Sequence, residues 1–326
     1  MAILSYKQHD YICRENETVL DTLLRENISI PHGCRQGVCQ SCVMQSVDTS
    51  PPDAAQEGLR ENQKQQNHFL SCLCKPEQDM EIDAIEQLDF VHEFEVLAKE
   101  MLNRDTLLLR LSHGKEFTFK SGQFINLKSP DNTVRSYSIS NIPNEEQHLE
   151  LQIRLLPNGR FGSWVYHDLE VGHNISASSA LGNCFYNTER QEQGLLLVGT
   201  GSGLAPLYGI LQDALRQAHK GAIHLFHGSR DAEGLYLREQ IQQLVSENNN
   251  FNYTACVSGD YKDEHLGLYS QGRVHEVALS TYNNLNGWRV YVCGHPEMVK
   301  QMQTQVFLKG ANLEDIYADA FHSSSS

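Results

Sequence analysis

The chain lacks any apolar run approaching the ~20 residues that a membrane-spanning helix requires, so no membrane association is expected. It is also poor in positive charge. Against 41 Asp and Glu stand 26 Lys and Arg, a net charge of −15 at pH 7. Nucleic acid and anionic lipid are bound through basic patches, so both are set aside as partners. Residues 1–10 lack a charged stretch followed by an apolar one, so no signal peptide is expected and the cytoplasm is the expected location. There is no internal repeat, and the biased tail 322–326 reads as a frayed end. The nine cysteines are an odd number, and four of them form one pattern. That combination excludes a secreted disulfide framework and favours metal or redox chemistry.

What is present divides into three zones, and 326 residues suffice to give each its own core. Zone 1–88 opens as a strand and continues as a short helix, with Thr18 as N-cap and Leu20, Leu23 and Leu24 on one face. From Leu70 to Ile82 it returns to apolar–polar alternation. This zone carries 14 Asp and Glu against 7 Lys and Arg, which reads either as solubility or as steering toward a basic partner surface. Zone 89–188 reads as β throughout. Leu149 to Leu155 alternates with period two, and Leu107–Leu111, Phe117–Phe119 and Phe124–Leu127 are further short strands, which together predict an antiparallel barrel. Zone 189–326 alternates buried strands with helices, beginning with Leu195 to Val198 and a helix through Leu204, Leu207, Leu211 and Leu215. That alternation predicts a parallel sheet.

Cys34, Cys39, Cys42 and Cys72 follow the pattern C-x4-C-x2-C…C, the spacing of plant-type [2Fe–2S] ligation. Three thiolates must come from one loop that wraps the cluster, and Gly33 and Gly37 let its backbone approach the sulfurs. Zinc more usually takes two separated C-x2-C pairs. Cys74, two residues on, reads as a packed thiol rather than a ligand, as do Cys13, Cys184 and Cys256.

Arg135, Tyr137 and Ser138 lie within four residues of an extended segment. Arginine suits a pyrophosphate, tyrosine a flat ring, and a hydroxyl a flavin ring nitrogen. Gly159, Gly162 and Ser163 precede or open a helix whose amides suit a phosphate. Gly199, Thr200, Gly201, Gly203 and Pro206 sit between a buried strand and an amphipathic helix, where a glycine-rich turn cradles pyrophosphate or simply makes a tight connection. Gly228, Ser229, Arg230 and Asp231 follow one strand end, and Cys293, Gly294 and Met298 follow another. In open α/β sheets such ends gather around one ligand. Cys293 fits a place against a nicotinamide, although a lone strand-end cysteine is as readily inert packing.

Taken together, these motifs resemble the ferredoxin–NAD(P)H reductase type found as the reductase component of bacterial multicomponent oxygenases, across essentially the whole chain. The stretch around Cys72 is most similar to toluene or phenol monooxygenase reductases. The resemblance implies a β-grasp [2Fe–2S] ferredoxin domain (1–88), an antiparallel β-barrel FAD domain (89–188) and a parallel-sheet NAD(P)-binding α/β domain (189–326). It also implies that Arg135, Tyr137 and Ser138 hold FAD, that Gly199 to Pro206 and Cys293, Gly294 and Met298 hold the nicotinamide nucleotide, and that Phe321 lies near the flavin. Two departures stand out. Gly162 occupies the position where the family commonly has a serine, with Ser163 displaced by one, and His295 replaces a common proline.

The implied activity moves electrons from NADH, with NADPH as the other possibility, through FAD and the cluster to an oxygenase protein. Ser138 and Cys293 flank the hydride transfer. Arg230 suits a 2′-phosphate and Asp231 a free 2′-hydroxyl, and the absence of a second nearby base favours NADH. One set of modules per chain makes a monomer the expectation. Another acceptor, such as a desaturase or deoxysugar dehydratase, shares every motif, and a redox-sensing module without turnover is the alternative of a different class.

Overall fold

A computed structural model describes residues 2–28, 30, 32, 35–37, 40–59, 61–84, 90–143, 147–259 and 267–321. Gly33, Cys34, Cys39 and the tail 322–326 lie outside the described residues.

The first sheet is five-stranded and mixed, in the order His9–Cys13, Ala2–Tyr6, Met80–Ala84, Val43–Ser46, His68–Leu70. Its first two strands form an antiparallel hairpin, while Ala2–Tyr6 runs parallel to Met80–Ala84. The helix Val19–Arg25 buries Leu20 and Leu23 against this sheet. Thr18 caps it by accepting the Asp21 N–H at 3.1 Å. The Val19 and Leu20 amides donate to the carbonyls of Cys74 and Ser71, at 2.9 and 3.0 Å. Amides that a helix start leaves unpaired thus tie the helix to the segment carrying Cys72. That segment is a turn rather than the strand expected from its alternation, because the Ser71 N–H and hydroxyl both donate to the Cys42 carbonyl.

The second sheet is antiparallel, in the order His148–Arg154, Thr106–Ser112, His92–Met101, Asn174–Ala177, Phe124–Lys128, Val134–Ser138. A bridge from Ile139 to Leu151 brings its two edges together and closes the barrel. Leu149, Leu151 and Ile153 point inward with period two, joined by Phe161 and Val165 of the helix Arg160–His167. Phe117 and Phe119 are buried as expected but lie outside any strand. Their rings pack with those of Phe94, His92 and His113 instead of a ladder partner.

The third sheet has six strands, all parallel: Ser270–Gln271, Phe251–Val257, Ile223–Ser229, Gly194–Thr200, Trp288–Gly294, Ile316–Ala320. Leu195 to Val198 are wholly buried, as a strand covered by helices on both faces must be. The strand order reverses beside Gly194–Thr200, which opens a crevice at the carboxyl ends. The helix Leu204–Arg216 joins this sheet to the barrel, with Gln212 donating to the Ser140 carbonyl at 3.3 Å. Among the described residues no helix is long and apolar enough to cross a membrane.

Candidate functional site

At the amino-terminal end, register places Val43 opposite Leu70, so Cys42 and the turn carrying Cys72 sit at neighbouring ends of paired strands. Both thiols are buried and neither is in a disulfide. Gly37 adopts φ +79°, a left-handed conformation that costs glycine little, and a side chain there would press on Leu73. These features suit soft thiolate ligation of a cluster wrapped by a tight loop. The other two expected ligands, Cys34 and Cys39, fall outside the described residues.

The barrel and the parallel sheet enclose a cleft of about 1350 Å³. Single small-ligand pockets span roughly 300–1,000 Å³, so this one accommodates more than one nucleotide-sized ligand. Arg104, Arg135, Arg154, Arg160, Arg230 and Arg273 all line it. In a chain of net charge −15, such a gathering of guanidinium groups selects anionic ligands.

On the barrel side the strand Val134–Ser138 pairs with Phe124–Lys128 and presents Arg135, Tyr137 and Ser138 to the cleft. The Tyr137 ring lies 5.5 Å from that of Phe161. Burial pushes its phenol well above the ordinary range, so it acts as a neutral flat surface. Gly159 and Gly162 line the same cleft, whereas Ser163 lines an adjoining pocket of about 680 Å³ shared with Gly159 and Arg160.

On the nucleotide side, Gly201–Gly203 forms a 3₁₀ turn leading into the helix Leu204–Arg216. Gly203 packs so tightly that a Cβ would collide with the Cys293 carbonyl group. Thr200 accepts the His295 N–H at 3.0 Å, which locks the two strand ends together. Thr200, Gly201, Gly228, Ser229, Arg230, Gly294, Met298 and Phe321 line the cleft, and the Phe321 N–H donates to the Gly294 carbonyl at 2.8 Å. Gly199, Gly203 and Pro206 do not line it; they shape the turn from behind.

Two further expected residues, Cys293 and Asp231, are placed differently from the sequence reading. Cys293 is fully buried behind the cleft wall, its Sγ 3.8 Å from Cys184 Sγ, and burial together with that neighbour pushes its thiol well above the ordinary range. Asp231 does not line the cleft. Its carboxylate is held by Arg104 at 2.7 Å and by the Gly234 N–H at 2.9 Å. Burial raises its affinity for a proton, but these bonds outweigh that and hold it below the usual carboxylate value. Arg104 also reaches Glu233 at 3.0 Å, so a barrel residue clamps the turn after Ser229.

Asp319 was missed by sequence reasoning. Strand pairing sets it beside Cys293, and its side chain meets the Ser138 hydroxyl at the cleft floor. Burial pushes its carboxyl up to about 6, against the opposing pull of the Ser138 hydrogen bond. The available signal was its place in the sequence, two residues before the aromatic Phe321 that had already been singled out.

Comparisons with known proteins fall on the same three regions. Residues 5–77 match a 2Fe-2S iron-sulfur cluster binding domain, residues 93–186 an oxidoreductase FAD-binding domain, and residues 197–304 an oxidoreductase NAD-binding domain. The chain is 30% identical to the ferredoxin–NAD(P)+ reductase component of the naphthalene 1,2-dioxygenase system of Pseudomonas putida, covering 92% of each chain. It is 29% identical to the phenol hydroxylase P5 protein of Acinetobacter pittii, over 95% of this chain and 91% of that one. Among solved structures, the ferredoxin reductase in carbazole 1,9a-dioxygenase superposes with a TM-score of 0.68 at 24% identity, over 98% of both chains, which is a likeness of fold.

Proposed function

The chain belongs to the family of ferredoxin–NAD(P)H reductase components of multicomponent oxygenases, and from that premise we propose how its residues divide the work and which nucleotide it prefers. It is an NAD(P)H-dependent oxidoreductase with a [2Fe–2S] cluster and FAD as its cofactors. FAD held by Arg135, Tyr137 and Ser138 would supply two-electron hydride chemistry with reduced nicotinamide, and a cluster held by Cys34, Cys39, Cys42 and Cys72 would supply one-electron transfer.

The observation that carries the site assignment is the convergence of Tyr137, Ser138, Asp319 and the Gly201 turn on one arginine-lined cleft. Tyr137 supplies a flat, neutral face for the isoalloxazine, and Arg135 a fork for the pyrophosphate. Ser138, steered by Asp319, presents its hydroxyl to the flavin ring. The Gly199 to Gly203 turn and Gly294 let the nicotinamide nucleotide approach backbone closely, and Met298 and Phe321 exclude water at its reactive end. Cys293 supports this wall from behind through its backbone. Cys34, Cys39, Cys42 and Cys72 hold the cluster.

The Arg104 clamp supports NADH as the preferred donor. Asp231 and Glu233 take up the Arg104 guanidinium, so in the turn after Ser229 Arg230 alone is left to meet a 2′-phosphate. The acceptor we propose is an oxygenase protein docking on the acidic ferredoxin unit, with the reductase working as a cytoplasmic monomer. Steady-state reduction of cytochrome c by the purified holoprotein tests this reading. A higher kcat/KM for NADH, and a rate of delivery to the oxygenase that falls with added salt, are expected. A higher kcat/KM for NADPH overturns the nucleotide assignment, and salt-independent delivery overturns the docking face.

A further inference from the structure

Cys184 and Cys293 come from opposite sides of the junction between barrel and nucleotide sheet, 109 residues apart in sequence, yet their sulfurs lie 3.8 Å from one another. Both are buried, Cys293 completely and Cys184 to 8% exposure. Neither backbone is free to drift. Cys293 sits on an interior strand, paired with Gly199 on one side and Asp319 on the other. Cys184 is held by its neighbour Phe185, whose carbonyl accepts the Tyr291 hydroxyl at 3.0 Å, and by the close approach of its own carbonyl to Gly122. A metal does not explain the pair, since among the described residues no group of three or more His, Cys, Asp or Glu could hold one.

We propose that Cys184 and Cys293 form an interdomain dithiol–disulfide site, closed by a hydroperoxide. One thiol sulfur attacks the O–O bond of the peroxide, giving a sulfenic acid and an alcohol. The second sulfur then displaces water from that sulfenic acid. The two sulfurs lose two electrons in total, the O–O bond receives them, and both thiol protons leave in the alcohol and the water. Closure shortens the sulfur separation from 3.8 Å to the ~2.05 Å of a disulfide, and with both backbones anchored the shortening pulls on the strand end at Cys293.

The bond draws the Cys293 side chain toward Cys184 and welds the end of the Trp288–Gly294 strand to the segment leaving the barrel. Gly294, next in sequence, lines the cleft and accepts from the Phe321 N–H, so the weld fixes a wall of the cleft. Burial slows the chemistry, because a buried thiol yields little thiolate. The site therefore answers to sustained peroxide rather than scavenging it. The disulfide stands independently of the function proposed for the cleft; only its effect on nucleotide-driven reduction rests on that reading.

The test treats the holoprotein with tert-butyl hydroperoxide, blocks remaining thiols with an alkylating agent, and maps the non-reduced peptides, with Cys184→Ser in parallel. The expected result is a peptide pair joined through Cys184 and Cys293 and removed by dithiothreitol. Alongside it, the NADH-to-ferricyanide rate should fall by about a hundredfold and recover on reduction, as a misplaced reacting group entails. Cys184→Ser is expected to keep its rate and show no reversible loss. Alkylation of both cysteines after peroxide treatment, or linkage of either to another partner, overturns the site. The joined pair with an unchanged rate overturns the lock while leaving the disulfide. The peptide map of the unsubstituted protein decides the first question even if the variant fails to fold.

Discussion

Replacing Asp319 with Asn keeps the shape of the side chain and removes its ability to ionise. In the folded chain burial raises this carboxyl to about 6 from an ordinary value of 3.8, with the Ser138 hydrogen bond pulling the other way. The native state therefore holds a proton more tightly than the unfolded chain does. The stability contributed by the neutral carboxyl is complete below about pH 4 and is lost as pH rises through about 6. A shift of about two units is worth roughly 3 kcal/mol. That figure is a ceiling, because the residue keeps partial contact with the cleft. By linkage, Asp319→Asn should gain roughly 3 kcal/mol over the parent at pH 8 and about half of that at pH 5. For a unit the size of barrel plus nucleotide sheet, the difference between those gains is roughly 3–6 °C of melting temperature. Thermal unfolding of both proteins from pH 5 to 8 reads it directly. An inflection near pH 6 in the NADH-to-ferricyanide rate is expected of the parent and should be absent from the variant. A stability gap that stays flat with pH, or that favours the parent at pH 8, refutes the reasoning.

Three further outcomes follow from other parts of the fold. In Gly203→Ala the new methyl group must displace the Cys293 carbonyl carbon, 2.6 Å from where it would sit, so backbone has to move; the expected costs are about 1–3 kcal/mol in thermal stability and at least a tenfold rise in the NADH KM. Asp231→Asn combined with Glu233→Gln frees Arg104 at the turn that carries Arg230, and the ratio of kcat/KM for NADPH to that for NADH should rise about tenfold or more, with stability little changed because these ion pairs are exposed. Cys72→Ser should leave flavin content and NADH-to-ferricyanide activity near the parent while abolishing the cluster's absorbance and delivery of electrons to cytochrome c or the oxygenase.

The cluster loop and the glycine-rich turn were legible in the sequence because their chemistry is local. Thiolates from one loop need a fixed spacing, and a phosphate-binding turn needs glycines between a strand and a helix. The three-sheet architecture was legible for a similar reason, since period-two and continuous apolar runs report which faces of a strand are covered. Asp319 was not legible, because only the pairing of the last strand with Trp288–Gly294 carries it to Ser138. The Arg104 clamp was hidden likewise: its partners lie more than a hundred residues away, and Asp231 read as the partner of a ribose 2′-hydroxyl. The turn at Cys72 was misread as a strand. Its alternation is real, but the Cys42 carbonyl is satisfied by Ser71 rather than by a continuing ladder.

The central claim is that one chain takes electrons in pairs at the cleft and delivers them singly at the cluster. Anaerobic titration of the holoprotein with NADH, followed by absorbance and by electron paramagnetic resonance, tests it most directly. The account predicts bleaching of the flavin band together with the signal of a reduced [2Fe–2S] centre. Bleaching without that signal, or no bleaching with either NADH or NADPH, contradicts it.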